Sequence, residues 1–224
     1  MNHIVSVRVA VTGALAAVLA CQPRPTDHQV ARGDSAAAPA AIPAAPDTFL
    51  VAFQTSKGRV VVQAVRDWSP RGVDRFYELV NAHFYDGAKF FRVLGFMAQF
   101  GISGDPARND AWGERMIADD PVKQSNQRGM LSYAMGGPNT RTTQLFINKK
   151  DNRRLDAMGF APFAQVVEGI DVVDRLYSGY GEGAPDGTGP IQNRIEHEGN
   201  AYLNRYFPLL DSVVTARVVR IRQP

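Results

Sequence analysis

From residue 48 onward, short apolar runs alternate with clusters of Gly, Pro, Asn and Asp. Thr48–Gln54 and Arg59–Val65 are β-rich and flank Ser56-Lys57-Gly58, a hairpin signal. Val73, Phe76, Tyr77 and Val80 then recur at i, i+3, i+4 and i+7, which predicts a helix. Ser69 is placed to cap that helix, and Pro70 suits its first turn. Further apolar runs fall at Phe90–Leu94, Phe96–Phe100, Leu131–Met135, Leu145–Ile147 and Phe163–Val167. A shorter helix is expected from Ile170 to Tyr177, then a Gly-rich loop over Gly179–Gly189 and a last strand over Val213–Ile221. Many short strands with turn-punctuated spacing and two helices predict a mainly β fold, a closed or nearly closed antiparallel barrel. No internal repeat is visible.

The first 47 residues follow another pattern. Arg8 precedes an apolar run, Val9–Ala20, of about twelve residues, the anatomy of a secretory signal. A bilayer-spanning helix needs about 20, so this run is too short to serve as a permanent anchor. It ends Val18-Leu19-Ala20-Cys21, which resembles the lipobox of bacterial lipoproteins, where the cysteine is lipidated. The other reading is ordinary signal cleavage, with Cys21 left as a free thiol. On the lipoprotein reading residues 1–20 are the signal and several acyl chains give stable membrane anchoring. Gln22, rather than Asp, then fits sorting to the outer membrane, facing the periplasm. Residues 21–47 carry Pro23, Pro25, Pro39, Pro43 and Pro46 among alanines and polar residues, and read as a tether. A coil of that length reaches roughly 25–30 Å. The globular domain is expected over 48–224.

Composition narrows the chemistry. Hydrophobic residues make up 45% of the 224 and charged residues 21%, ordinary globular values. A formal charge of +3 is too weak to argue for nucleic acid without a concentrated patch. One cysteine excludes an internal disulfide and a cysteine-rich zinc site, and the four histidines are scattered, so neither metal nor cofactor is expected. No G-x-S-x-G elbow, H-E-x-x-H or P-loop occurs. Gly179-x-Gly181-x-Gly183 lacks the strand and third-glycine spacing of a dinucleotide loop. Glu196-His197-Glu198 reads as a solvated turn, and Arg217, Arg220 and Arg222 as the solvent face of an edge strand. His83, at a helix end, is expected to meet terminal carbonyls. Trp112 is expected to pack within a long loop between Asp105 and Lys123.

The segment Phe90-Phe91-Arg92-Val93-Leu94-Gly95-Phe96-Met97-Ala98-Gln99-Phe100-Gly101 sets an arginine and a glutamine into an apolar β stretch. A guanidinium there needs a partner or an open cleft. Two environments satisfy it: a loop carboxylate inside the fold, or the rim of a groove. Period 2 puts Phe90, Arg92 and Leu94 on one face. After a break at Gly95, either Phe96, Ala98 and Phe100 or Met97 and Gln99 share the next.

Leu131-Ser132-Tyr133-Ala134-Met135-Gly136-Gly137-Pro138-Asn139-Thr140 runs into Thr143-Gln144-Leu145-Phe146-Ile147, then Leu155-Asp156 and Gly159-Phe160-Ala161-Pro162-Phe163. With the Arg92 segment these blocks resemble the cyclophilin-type peptidyl-prolyl isomerases, in order and near-family spacing, from about Thr48 to Ile221. Gly199–Leu203 with Phe207–Asp211 resembles an extension in some bacterial members. The resemblance implies an eight-stranded antiparallel barrel, cyclophilin-like and closed, capped by two helices, with a groove outside the barrel. It implies Arg92 as the catalytic arginine and Phe96, Met97, Phe146 and Leu155 as the proline pocket, with Phe160 assigned there too. Gln99 and Gln144 fall at groove positions, and Ala134 and Met135 at positions that hold the substrate backbone. Phe91 stands where eukaryotic relatives have histidine. Arg154 stands where an aromatic contact for cyclosporin is common.

The implied activity is rotation of X-Pro bonds in proline-containing exported polypeptides, by a monomeric domain. A proline-binding chaperone module with little turnover is the alternative, and a hydrolase a third reading that lacks a nucleophile–base pair. The deciding geometric expectation is that Arg92 lies within hydrogen-bond reach of Gln99 beside an open apolar depression.

Overall fold

The computed structural model describes residues 44–222, so the expectations for the signal, Cys21 and most of the tether lie outside the described residues. The strands are β1 (Thr48–Thr55), β2 (Gly58–Val65), β3 (Arg92–Val93), β4 (Met97–Phe100), β5 (Met130–Tyr133), β6 (Leu145–Asn148), β7 (Pro162–Glu168) and β8 (Val213–Arg222). The helices are α1 (Pro70–Asn81), α2 (Pro106–Gly113), α3 (Ile170–Asp174) and α4 (Gln192–Tyr206). The strands form one antiparallel sheet in the order β3-β4-β6-β5-β7-β2-β1-β8. The sheet curls until its ends meet. The seam is stitched by the segment before β3: Val213 N donates to Ala88 O, Gly87 N to Val213 O, and Phe90 N to Asp211 O.

Alternation decides what lies inside. Phe49, Val51 and Phe53 of β1, Val60, Val62 and Ala64 of β2, and Leu131, Tyr133, Leu145 and Ile147 of β5 and β6 point into one core. Val73, Phe76 and Val80 of α1 close it from one side, while Val172 and Val173 of α3 add to it. Phe76 lies 5.1 Å from Phe163 and 6.1 Å from Tyr85, ring centre to ring centre. Ala45 is buried and its amide donates to Asp74, so packing takes hold three residues before β1.

Some local expectations change. Ser69 does not cap α1 with its side chain; its hydroxyl donates to Asp120, 2.6 Å away. Asp120 itself accepts from the amides of Arg71 and Gly72, so the cap comes from a distant loop. α3 stops at Asp174, short of Tyr177. The Asp105–Lys123 loop contains α2, capped by Asp105, and Trp112 packs against Phe84 with the Arg115 guanidinium 4.1 Å over its ring. Glu196-His197-Glu198 is not a turn but part of α4. His83 leaves the helix-end carbonyls to Arg108 and lies 3.7 Å from Asp86. On β8, Arg217 is held by both oxygens of Asp86, whereas Arg220 is exposed.

Candidate active site

The strand register assembles the site. Arg92 pairs with Gln99 across β3–β4, Gln99 with Phe146 across β4–β6, and Phe146 with Ser132 across β6–β5. These four side chains therefore form one row on the outer face of the sheet. Their neighbours Val93, Ala98, Phe100, Leu145, Ile147 and Leu131 point into the core. Phe90 does not share the Arg92 face. An irregular step at Phe91 sends Phe90 into the core, 5.0 Å from Phe100, and Phe91 into a second cluster with Ile102, Ile195 and Phe207. On β4, Met97 and Gln99 face out.

A groove of about 430 Å³ lies over the first three of this row, Arg92, Gln99 and Phe146, with Ser132 buried behind it. It is lined by Arg92, Phe96, Met97, Gln99, Ala134, Met135, Gln144, Phe146, Leu155 and Phe160, the residues singled out from the sequence. Gly136, Thr140, Thr142, Arg154, Met158 and Gln192 complete the wall. Its apolar floor is Met97, Phe146 and Leu155, with Leu94, Phe96, Ala134 and Phe160 packed around them. The Arg154 guanidinium lies 5.6 Å from the centre of the Phe96 ring. The Ala134 amide donates to Gln144 O, 2.9 Å away, so this N–H is spent within the sheet and is not free for substrate. Met135 follows beyond the end of β5.

Arg92 satisfies both of the environments considered for it. Its Nη1 donates to Gln99 Oε1 at 3.0 Å, and Gln99 Nε2 donates to Gln144 Oε1 at 2.9 Å. On its other edge, Nε and Nη2 donate to the two carboxylate oxygens of Glu182 at 2.6 and 2.5 Å. Yet the Arg92 side chain is 27% exposed, so it is not sealed inside the fold. The hydrogen bond from Arg92 holds the Glu182 carboxyl below the usual glutamate range, against the opposing push of burial. Sequence reasoning missed Glu182. It is ninety residues from Arg92, in a Gly-rich loop whose only signal was its failure as a phosphate cradle.

A buried polar web behind the floor was also missed. Asn126 Nδ2 donates to Asp156 Oδ1 and to Phe160 O, each at 2.8 Å, while its Oδ1 accepts from Ser132 Oγ and Asn148 Nδ2. Asn152 Nδ2 donates to Phe96 O and Asn148 Oδ1. Leu155 and Phe160 thus hang on a hydrogen-bonded scaffold anchored to β5 and β6. Burial pushes the Asp156 carboxyl up, but hydrogen bonds from Ser125 and Asn126 outweigh it and hold the group below its ordinary value.

The profile of the family described as cyclophilin type peptidyl-prolyl cis-trans isomerase/CLD matches residues 50–196, which hold every one of these groove residues. The chain belongs to the cyclophilin-type peptidyl-prolyl cis-trans isomerases. This cyclophilin chain is 33% identical over 136 residues to peptidyl-prolyl cis-trans isomerase B of Escherichia coli (strain K12), covering 57% of itself and 83% of that protein. It is 32% identical over 156 residues to peptidyl-prolyl cis-trans isomerase A of Dickeya dadantii, covering 67% of itself and 80% of that protein. The fold matches a cyclophilin-type isomerase of Cryptosporidium parvum with a TM-score of 0.57 at 20% identity, over 79% of this chain and 99% of that one. A second structure of that protein was solved in the presence of the dipeptide Ala-Pro; it matches with a TM-score of 0.56 at 19% identity, over 76% and 99% of the two chains. The activity of this cyclophilin is peptidyl-prolyl cis-trans isomerisation.

Proposed function

We propose that Arg92 is the catalytic group of this isomerase and that the groove seats the proline of exported polypeptides. The observation that carries the reading is a partly exposed guanidinium, fixed by Gln99, on the rim of an open groove with a Met97, Phe146 and Leu155 floor.

Rotation about an X-Pro bond passes a barrier of roughly 18–20 kcal/mol because it breaks amide resonance. No σ-bond forms or breaks, so the reaction asks for neither nucleophile nor electron carrier. In the twisted state the prolyl nitrogen regains its lone pair and becomes a better acceptor. A guanidinium carries five N–H donors and keeps its charge near neutrality. Glu182 and Gln99 take three of those donors, leaving two for the groove. A donor aimed at the pyramidal nitrogen, or at the adjoining carbonyl, favours the twisted state over both planar isomers, which is the kind of binding that lowers a barrier. Phe96, Met97, Phe146 and Leu155 hold the pyrrolidine ring and exclude water, so that contact acts in a lower dielectric. Met135 and Gln144, which line the same groove, would hold the peptide next to the ring.

The test is Arg92→Ala, assayed on an Ala-Pro peptide by protease-coupled or exchange-NMR kinetics. Loss of one charge-assisted contact of about 3 kcal/mol predicts a fall in kcat/KM of roughly a hundredfold or more. An Arg92→Ala enzyme with full activity would end this mechanism.

Lipidation of Cys21 and a tether from there to about residue 44, where packing against the domain begins, would hold the enzyme, working as a monomer, at the bacterial envelope on the periplasmic face of the outer membrane. The support is the sequence Val18-Leu19-Ala20-Cys21 after an apolar run too short to span. In membrane fractionation Cys21→Ser should move the protein into the soluble pool; retention with the membranes would refute lipid anchoring through this residue.

A further inference from the structure

We propose that Glu182 is a positioning residue for Arg92, gripping the guanidinium at Nε and Nη2 and so fixing the plane of its remaining donors. The inference rests on the reading of Arg92 as the catalytic group.

An arginine on a strand edge has four rotatable bonds, and Gln99 alone constrains only Nη1. The Glu182 carboxylate engages Nε and Nη2 together, the side-on fork geometry that fixes a plane as well as a position. With both contacts made, the guanidinium is held at three of its N–H groups. The unspent donors lie on Nη1 and Nη2, the two nitrogens at its tip.

The loop is shaped around this residue. Glu182 O accepts from Gly189 N at 2.7 Å, and Glu182 Oε1 accepts from Gly183 N at 3.0 Å. A Cβ at Gly187 would lie 2.3 Å from Glu182 O and one at Gly189 would lie 2.8 Å from it, so the tight turn admits no side chain at either point. The loop is also tied down at its start. Tyr180 packs edge-on against Tyr177 and Phe207, with ring centres 5.1 and 5.0 Å apart, and Tyr177 N donates to Asp211 Oδ2 at 2.7 Å. The chain after β7 thus builds a rigid mount for one carboxylate. Glu182 does not block the site: it is absent from the groove wall, which stays open with the ion pair made. That separates positioning from inhibition.

The experiment measures kcat and KM on an Ala-Pro peptide for the wild type and for Glu182→Gln, Glu182→Ala, Glu182→Asp and Gly187→Ala. The Arg92 Nε–H resonance, followed by ¹⁵N–¹H NMR, reports the guanidinium directly. Misplacing a catalytic group by about an ångström costs up to a hundredfold. The Gln and Ala variants should therefore lose about tenfold in kcat, keep KM within about twofold, and lose the hydrogen-bonded Arg92 Nε–H signature. Glu182→Asp should recover part of both. Gly187→Ala, which keeps the carboxylate but crowds its backbone, should move kcat and the Arg92 signal together. Glu168→Gln, which breaks an exposed pair with Arg59, serves as the control and should change neither. Wild-type kcat in Glu182→Gln, or a rise in kcat, overturns the proposal, and so does a loss in kcat with the Arg92 signal unmoved. An inactive wild type showing the Arg92 signature would instead sink the isomerase reading of Arg92 and take this proposal with it.

Discussion

Asn126→Ala probes the web behind the groove. The side chain is fully buried and makes four hydrogen bonds: to Asp156, to Phe160 O, and from Ser132 and Asn148. Alanine spares some partners. Asp156 keeps Ser125 and the Asn126 amide, and Asn148 keeps Met130 O. Ser132 Oγ and Phe160 O lose their side-chain partner, and each orphaned buried group costs about 1–3 kcal/mol. With the small cavity left behind, the loss is about 3–5 kcal/mol. For a domain of this size each kcal/mol lowers Tm by about 2–4 °C, so the melting point should fall by about 6–20 °C. The catalytic consequence is separable. Arg92 is anchored on β3 and by Glu182, whereas Phe160 and Leu155 depend on Asn126, so KM should rise several-fold with a smaller change in kcat. Calorimetry and peptide kinetics on one preparation give both numbers. A variant melting within 2 °C of wild type, or one destabilised as predicted with an unchanged KM, would refute the claim that this web holds the pocket wall.

Asp120→Asn should destabilise the fold by about 1–3 kcal/mol, because the buried Arg141 loses one charged partner at 3.1 Å but keeps Asp119 at 3.2 Å; denaturant unfolding reads this directly, and no measurable loss would contradict it. Acid should unfold the protein through a small set of carboxylates. Burial pushes Asp74, Asp86, Asp120 and Asp156 up, but the hydrogen bonds each accepts pull it down further, to a net position below the ordinary 3.8. Folded values below the unfolded ones mean that this stability is fully present above about pH 5 and is lost as pH falls through 3.8 and lower. Tm against pH should be flat from 7 to 5 and drop steeply below 4; a decline centred near pH 6 would point to histidine instead.

What the sequence discloses and what it hides divide along physical lines. The strands are legible because short apolar, β-rich runs are set off by Gly, Pro, Asn and Asp, and α1 because its apolar positions recur at helical spacing. Arg92 and Gln99 stand out because polar groups inside an apolar run demand an explanation. α2 is not legible: none of its residues is buried, so no periodic face marks it. α4 is interrupted at Gly199, whose φ of 57° breaks the helical repeat, and its first half carries charge without an apolar stripe. Asp120 and Glu182 are invisible for a different reason. Each acts on a residue 49 to 90 positions away, and nothing local distinguishes a carboxylate that caps a distant helix or grips a distant arginine from one in water.

The row Arg92, Gln99, Phe146, Ser132 explains why such a site tolerates so little freedom in the sheet beneath it. Neighbouring strands lie about 4.8 Å apart, so charge, amide, pocket floor and web anchor are spaced by backbone pairing rather than by loops. A one-residue slip between β4 and β6 would carry Phe146 out of line with Gln99 and turn it into the core, bringing Leu145 or Ile147 to the groove. What forbids the slip is the inner face, where Ala98, Phe100, Leu145 and Ile147 fill fixed places in the core. The same alternation that stabilises the fold thus sets the distance from the guanidinium to the proline floor. Register does not fix how the guanidinium turns about its own flexible stem, and there the Glu182 loop acts, reaching the arginine from ninety residues away and gripping Nε and Nη2 together.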